Sequence, residues 1–441
     1  MSNVSAIPWP SPARAWWMIF VFFVVAVLSY SDRLVLSLLV DPIRADLGLS
    51  DTEIGIVGGL AFAAVYSVAG LPFGRLADIF PRRMVIIAGV IIWSLCTGAC
   101  AYAQNFESLF AARVGVGIGE AAFAPAAVSM IADSFAPNRR GLAIGFLLTG
   151  MAVGSGAAIV IGGGLLEAAN AGLFTSLPLL DGVAPWRTVL LVLAVAGVLP
   201  VLLLLTLREP VRQEIDHHAA ARNLTLSDVL RQFAVLSAIL LPLYLGVAFV
   251  SAGDFAIQNW TPTMLSRVFG YTPGEIAQTL GIVSIIIGGA GTIFGGWLSD
   301  REAGRGEDRG RLKIAMLAAA IGLGGGAIAF AGNGDQAIAC FALWIFMSSV
   351  SGAVGITVLQ NIVPNKMRGV GTALVSFCNV ILGLGVGTAL TGVLTDHLYR
   401  DPMAVGLSMS TVAMSAGLLA LVLFWRARVA VAKRERISTT A

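Results

Sequence analysis

Long apolar runs, rather than alternation, organise this chain. A helix crossing a hydrocarbon layer of about 30 Å needs about 20 such residues. Twelve runs approach or exceed that length: 15–40, 53–76, 84–103, 108–132, 141–166, 186–207, 233–258, 275–298, 313–331, 336–363, 369–395 and 403–425. The pattern predicts an all-α membrane protein. A polar stretch over 208–232 divides the runs into two sets of six. The expected organisation is a first six-helix bundle over 1–207, a cytoplasmic link over 208–232, and a second bundle over 233–441 with a basic tail. Late in the link, Thr225 with Asp228 three residues on reads as a helix start. The neighbouring His217 and His218 read as a solvated pair.

Composition agrees with the pattern. Of 441 residues, 57% are hydrophobic and only 12% charged. That is about half the charge of a soluble domain. A net charge of +3 with its basic residues in loops does not point to nucleic acid. Cys96, Cys100, Cys340 and Cys378 all lie in apolar runs without accompanying histidines, so neither a metal site nor a disulfide framework is expected. No Gly-x-x-x-x-Gly-Lys-Ser/Thr loop is present, which excludes ATP-driven pumping. The first run is not followed by a small-residue cleavage site and reads as an uncleaved span.

The basic residues set the orientation. With the first residue inside, 22 of the 28 Lys and Arg fall in inside segments and four outside, at Arg44, Arg187, Arg267 and Arg400; Arg33 and Arg113 lie within spans. The positive-inside rule therefore puts both termini in the cytoplasm. A bacterial inner membrane is the expected location.

Two charges inside one run carry the candidate chemistry. In RVGVGIGEAAFAPAA, Arg113 and Glu120 are seven residues apart and hence on one helix face. At the helical rise they are about 10 Å apart along its axis. A charge near the bilayer centre costs about 2.5–3.5 kcal/mol on insertion scales, so such residues need a reason. The glycines between them do not: Gly115-x-x-x-Gly119 is ordinary close helix packing.

The halves also repeat. GRLADIFPRR, beginning at Gly74, follows the second run, and GWLSDREAGR, beginning at Gly296, follows the eighth. DSFAPNRRG and NIVPNKMRG, after the fourth and tenth, share Pro-Asn and Arg-Gly with a one-residue slip. Two matched six-span halves are the pattern of a duplicated membrane carrier.

At Gly74, Asp78, Arg82 and Arg83, with Gly296 and Asp300 as a second copy, the chain resembles the major facilitator superfamily. YSDRLVLSLLVDPIRADLGLSDTEIG and ARVGVGIGEAAFAP are similar to the Asp-Arg and Gly-x-Gly-Glu-Ala motifs of its Spinster-type branch, which moves lysophospholipids and sphingolipid phosphates. Bacterial carriers of organic anions share the Asp-Arg opening. The fifth run lacks the Gly-Pro step of drug antiporters, which argues against multidrug antiport. The resemblance implies a cavity lined by spans 1, 4, 7 and 10. It also implies an inner gate in which Asp78 contacts the eleventh span, with Asp133 and Arg140 on the next loop joining that network.

Facing spans 1 and 4 would bring Asp32 and Arg33 level with Arg113, with Glu120 deeper. Asp32 with Arg113 and Arg33 with Glu120 is one wiring, and the crossed one is equally open. A carboxylate whose burial and partner change between two states suits proton coupling, and arginine keeps its charge to hold an anion. In the second half Asp254, after Gly253, would mark a break or gate in the outer part of span 7. Tyr244, Asn259 and Gln360 are further candidate substrate contacts. The expected protein is a monomeric secondary transporter, not an enzyme, working on the proton gradient without a cofactor. Its partners would be membrane lipids and an anionic lysolipid-like amphiphile. A carrier of small organic acids is the alternative, and a non-transporting receptor or scaffold a more distant one.

Overall fold

In a computed structural model, residues 9–174, 176, 182–212, 226–303, 308–363 and 368–440 are described. Thr225 and the histidines at 217 and 218 lie outside them. Among the described residues, twelve helices are long and apolar enough to cross a membrane: Pro12–Leu47, Asp51–Ile79, Arg82–Ala101, Phe106–Ser134, Arg139–Asn170, Pro185–Leu205, Leu236–Phe269, Pro273–Glu302, Asp308–Phe330, Gly334–Leu359, Leu374–Tyr399 and Pro402–Lys433, here spans 1 to 12. No strand occurs among these residues. An even number of spans puts both chain ends on one face, called here the terminal side; the other is the far side.

The runs read from sequence match these helices one for one, but several helices continue past the apolar stretch. Span 1 reaches Leu47, seven residues beyond the expected end, because Leu38, Leu39, Val40 and Ile43 keep a buried face while the polar positions turn outward. Span 7 reaches Phe269 through Pro262 and stops at Gly270, whose φ of 70° is the left-handed geometry that glycine accepts. Span 1 is interrupted at Val35. Span 4 is interrupted at Ala121 and Ala122, where Pro125 offers no N–H to the carbonyl four residues back.

Packing separates the molecule into three apolar cores. One belongs almost wholly to spans 1–6 on the terminal side, around Phe22, Phe62, Trp93, Phe123 and Met130. A second belongs to spans 7–12, around Leu243, Val247, Val354 and Phe424. The third joins both halves on the far side, where Leu39, Ile43 and Trp186 are continuous with Trp260, Met264, Phe341 and Met409. The halves are fused on one face and have separate cores on the other.

Bare helix surfaces make that fusion. A Cβ on Gly59 of span 2 would meet the Leu384 carbonyl oxygen of span 11 at 2.5 Å, and one on Gly156 of span 5 would meet the Gly281 carbonyl oxygen of span 8 at 2.8 Å. Toward the terminal side the same faces carry Gly70, Gly74, Gly145 and Gly289, where an added Cβ would meet nothing within 4 Å.

Candidate functional site

The longer span 1 changes the levels of its charges. Arg33 lies 14 residues from Leu47, and Glu120 lies 14 residues from Phe106. At the helical rise each is about 21 Å from its far-side end, whereas Arg113 is only about 10 Å in. Arg33 and Glu120 therefore meet: Arg33 Nη2 donates to Glu120 Oε2 at 2.5 Å, with side chains 5% and 1% exposed. Ser29 Oγ donates to the same oxygen at 2.8 Å. Asp32 and Arg113, expected on one level, form no direct ion pair. Asp32 Oδ2 instead accepts from Thr97 Oγ1 of span 3.

The guanidinium groups rest on aromatic rings. Arg33 lies 4.5 Å from the Tyr30 and Phe62 ring centres and 5.1 Å from that of Tyr66; Arg113 lies 5.7 Å from Phe62. A cation against a ring face recovers part of the hydration it has lost. Polar capacity is left over: Asp32 Oδ1, Glu120 Oε1, Arg33 Nε, and Arg113 Nε and Nη2 are buried without hydrogen-bond partners. Sequence reasoning located the four charges but not Ser29, Tyr30, Phe62, Tyr66 or Thr97. Phe62 and Tyr66, one turn apart on span 2 and stacked at 5.2 Å, were the available signal.

From Arg33 toward the far side runs a narrow cavity. Leu36, Val40, Ile43, Ile54, Val57 and Leu109 line it, and Asn259, Trp260 and Thr388 close it from the second half. Arg33 is its one charged wall among the described residues. Asn259 Nδ2 donates to Thr388 Oγ1 at 2.9 Å.

The other candidates lie apart. Asp254 lies 15 residues before Phe269, the far-side end of span 7. That is about 22 Å of helix, so it sits mid-membrane rather than in the outer part. The helix passes Gly253 unbroken, so there is no break there. Asp254 accepts from Gln258 Nε2 at 2.6 Å and Ser348 Oγ at 2.7 Å. The Tyr244 hydroxyl donates to the Gly371 carbonyl at 3.1 Å, tying span 7 to the chain entering span 11, away from the cavity. The Gln360 side chain lies outside what is described.

On the terminal side, Asp78 is exposed and pairs at 3.7 Å with Arg75 of its own helix; among the described residues it forms no ion pair or hydrogen bond with span 11. Gly74 and Gly296 face open space, and Asp300 is exposed. Arg82, 1% exposed, is the organising group instead. It pairs with Asp133, donates Nε to Glu209 Oε1 at 2.8 Å, and donates Nη2 to the Pro210 carbonyl at 2.8 Å. Arg83 N donates to Glu209 Oε2 at 3.0 Å, and Arg140 Nε to the Phe135 carbonyl at 2.9 Å. Glu209 was hidden in a stretch that reads as solvated linker.

The far side is held by a clasp between halves. Arg267 of span 7 grips both oxygens of fully buried Asp51 at 2.8 and 2.7 Å and reaches Asp41 Oδ1 at 2.8 Å. Asp396 of span 11 accepts from Thr52 N at 2.5 Å.

Comparison with known proteins places this geometry. A model of the Major Facilitator Superfamily matches residues 21–387. An MFS-type efflux pump of Mycolicibacterium smegmatis is 31% identical over 423 residues, covering 94% of this chain and 93% of the relative. Protein spinster of Drosophila melanogaster is 24% identical, covering 91% of this chain and 67% of the relative. The crystal structure of a bacterial homologue of the human lysosomal transporter Spinster, inward-facing and occupied, is 25% identical, covers 98% of each chain and gives a TM-score of 0.74.

Proposed function

Because this chain belongs to the major facilitator superfamily, as a Spinster-like member, we propose that it carries an anionic amphiphile across the membrane by proton-coupled alternating access. Relatives in this family are transporters rather than enzymes, and the twelve apolar helices make this a multi-pass membrane protein. The charge bias of the loops supports a cytoplasmic terminal side, which makes the present conformation inward-open, in a bacterial inner membrane.

The observation that carries the substrate class is the cavity above Arg33: one cation at its base and apolar walls beyond. Such a site suits a molecule with an anionic head and an apolar tail, as in a lysophospholipid. Glu120 occupies the Arg33 position that an anionic head would take, since both compete for the same guanidinium donors. Protonating Glu120 releases Arg33, so proton uptake and anion binding reinforce one another. Asp32, held by Thr97, supplies a second carboxylate to the network. The proton gradient then suffices as the energy source, and one chain holds the complete site.

Proteoliposomes loaded with fluorescent lysophospholipid or with a small organic acid, assayed in both directions with and without a pH gradient, test this reading. Gradient-dependent movement of the lysolipid is expected. Movement of the organic acid alone, or lysolipid movement indifferent to the gradient, would overturn it.

A further inference from the structure

Where span 1 begins, a second pocket opens on the terminal side, remote from the charge network. It lies between residues 9–18 and the segment 206–211 after span 6, and holds about 420 Å³. Arg14 and Arg208 line it from these two segments, and neither forms an ion pair with a described residue. Its one carboxylate, Glu209, is already engaged: Oε1 by Arg82 and Oε2 by the Arg83 backbone. Arg83 also donates to the Leu207 carbonyl at 2.6 Å, and Arg140 lies over the Trp9 ring at 5.9 Å. Among the described residues that line the pocket, two arginines, Arg14 and Arg208, thus stand against one carboxylate that is already engaged, and the surplus is positive.

The rim indicates where the anion comes from. Trp17 Nε1 donates to Thr206 Oγ1 at 2.9 Å, and its ring stacks on Phe20 at 5.4 Å. Both aromatics are exposed, as are Leu202 and Leu205 near the end of span 6, on a surface that an aqueous anion has no use for. Tryptophan at the end of a spanning helix sits at the level of lipid headgroups. The Ser11 side chain caps no amide at the start of span 1, so the positive end of that helix is added to the same pocket.

We propose that this pocket holds the phosphate of an anionic phospholipid from the leaflet on the terminal side, clamped by Arg14 and Arg208 and flanked by Trp9 and Trp17. The assignment does not depend on what the central cavity carries.

The test uses the full chain in phosphatidylcholine nanodiscs containing phosphatidylglycerol, with retained lipids counted by native mass spectrometry. Two arginines at about fivefold each predict roughly 25-fold preferential retention of phosphatidylglycerol. The preference should vanish in the Arg14→Gln/Arg208→Gln variant and persist in Arg426→Gln/Arg428→Gln, which removes the same charge from the last helix. Equal retention of both lipids by the wild type overturns the proposal whether or not any variant folds. So does a preference that survives loss of Arg14 and Arg208. Inorganic phosphate binding by calorimetry, without a phosphatidylglycerol preference, would reassign the pocket to a soluble anion and reject the lipid.

Discussion

At the scale of single residues, the network around Arg33 makes two predictions. Gln at position 120 keeps the shape of Glu but carries no charge to compete as an anion. Glu120→Gln should bind an anionic lysolipid at least as tightly as the wild type, transport it slowly and lose the response to an imposed pH gradient, read as binding and as uptake with and without that gradient. A gradient response retained by the variant would reduce Glu120 to a structural partner. Thr97→Val removes the one hydrogen bond that Asp32 makes among the described residues. It should destabilise the protein by about 1–3 kcal/mol, read as a lowered melting temperature in detergent, whereas Thr97→Ser should not. The four charges were legible because ionised groups are rare in apolar runs. Their neighbours were not, since a threonine or phenylalanine in a membrane helix is unremarkable until its facing residue is known.

At the scale of elements, the helix count was legible and the helix ends were not. Charged final turns such as Arg44-Ala-Asp46 read as loop, yet these turns level Arg33 with Glu120 and carry Asp41 into the clasp. The interruption of span 4 could be anticipated from Pro125; that of span 1 at Val35 has no Pro or Gly to announce it. Arg267 reads as one of four stray outside cations, because a contact between residues more than 200 positions apart leaves no local pattern. Removing one partner of a buried pair costs about 3–5 kcal/mol. Arg267→Ala should therefore loosen far-side closure and raise labelling of Ser37→Cys in the cavity wall by an impermeant maleimide applied from that side. Unchanged labelling would mean that the apolar core alone holds the halves together.

For the whole molecule, the joined far side and separate terminal-side cores match a two-bundle carrier caught in one of its conformations, and the repeated loop motifs were sufficient to anticipate the bundles. Which conformation is populated could not be read, because both closed interfaces are written into the same helices. Asp78, exposed here, has nothing to lose in this state, so Asp78→Ala should leave it intact and weaken the opposite one. Labelling of Leu71→Cys from the terminal side should rise, and constant labelling would remove Asp78 from the gate. The glycine faces of spans 2, 5 and 8 bear on how variants are screened. Gly145 and Gly156 lie three turns apart on span 5, one facing emptiness and the other facing span 8. Ranked by melting temperature, Gly156→Val should fail and Gly145→Val should pass. Ranked by turnover, both should fail, because the second face is needed only in a conformation that a thermal assay never visits. For a molecule that alternates, tolerance measured in one state is half a map.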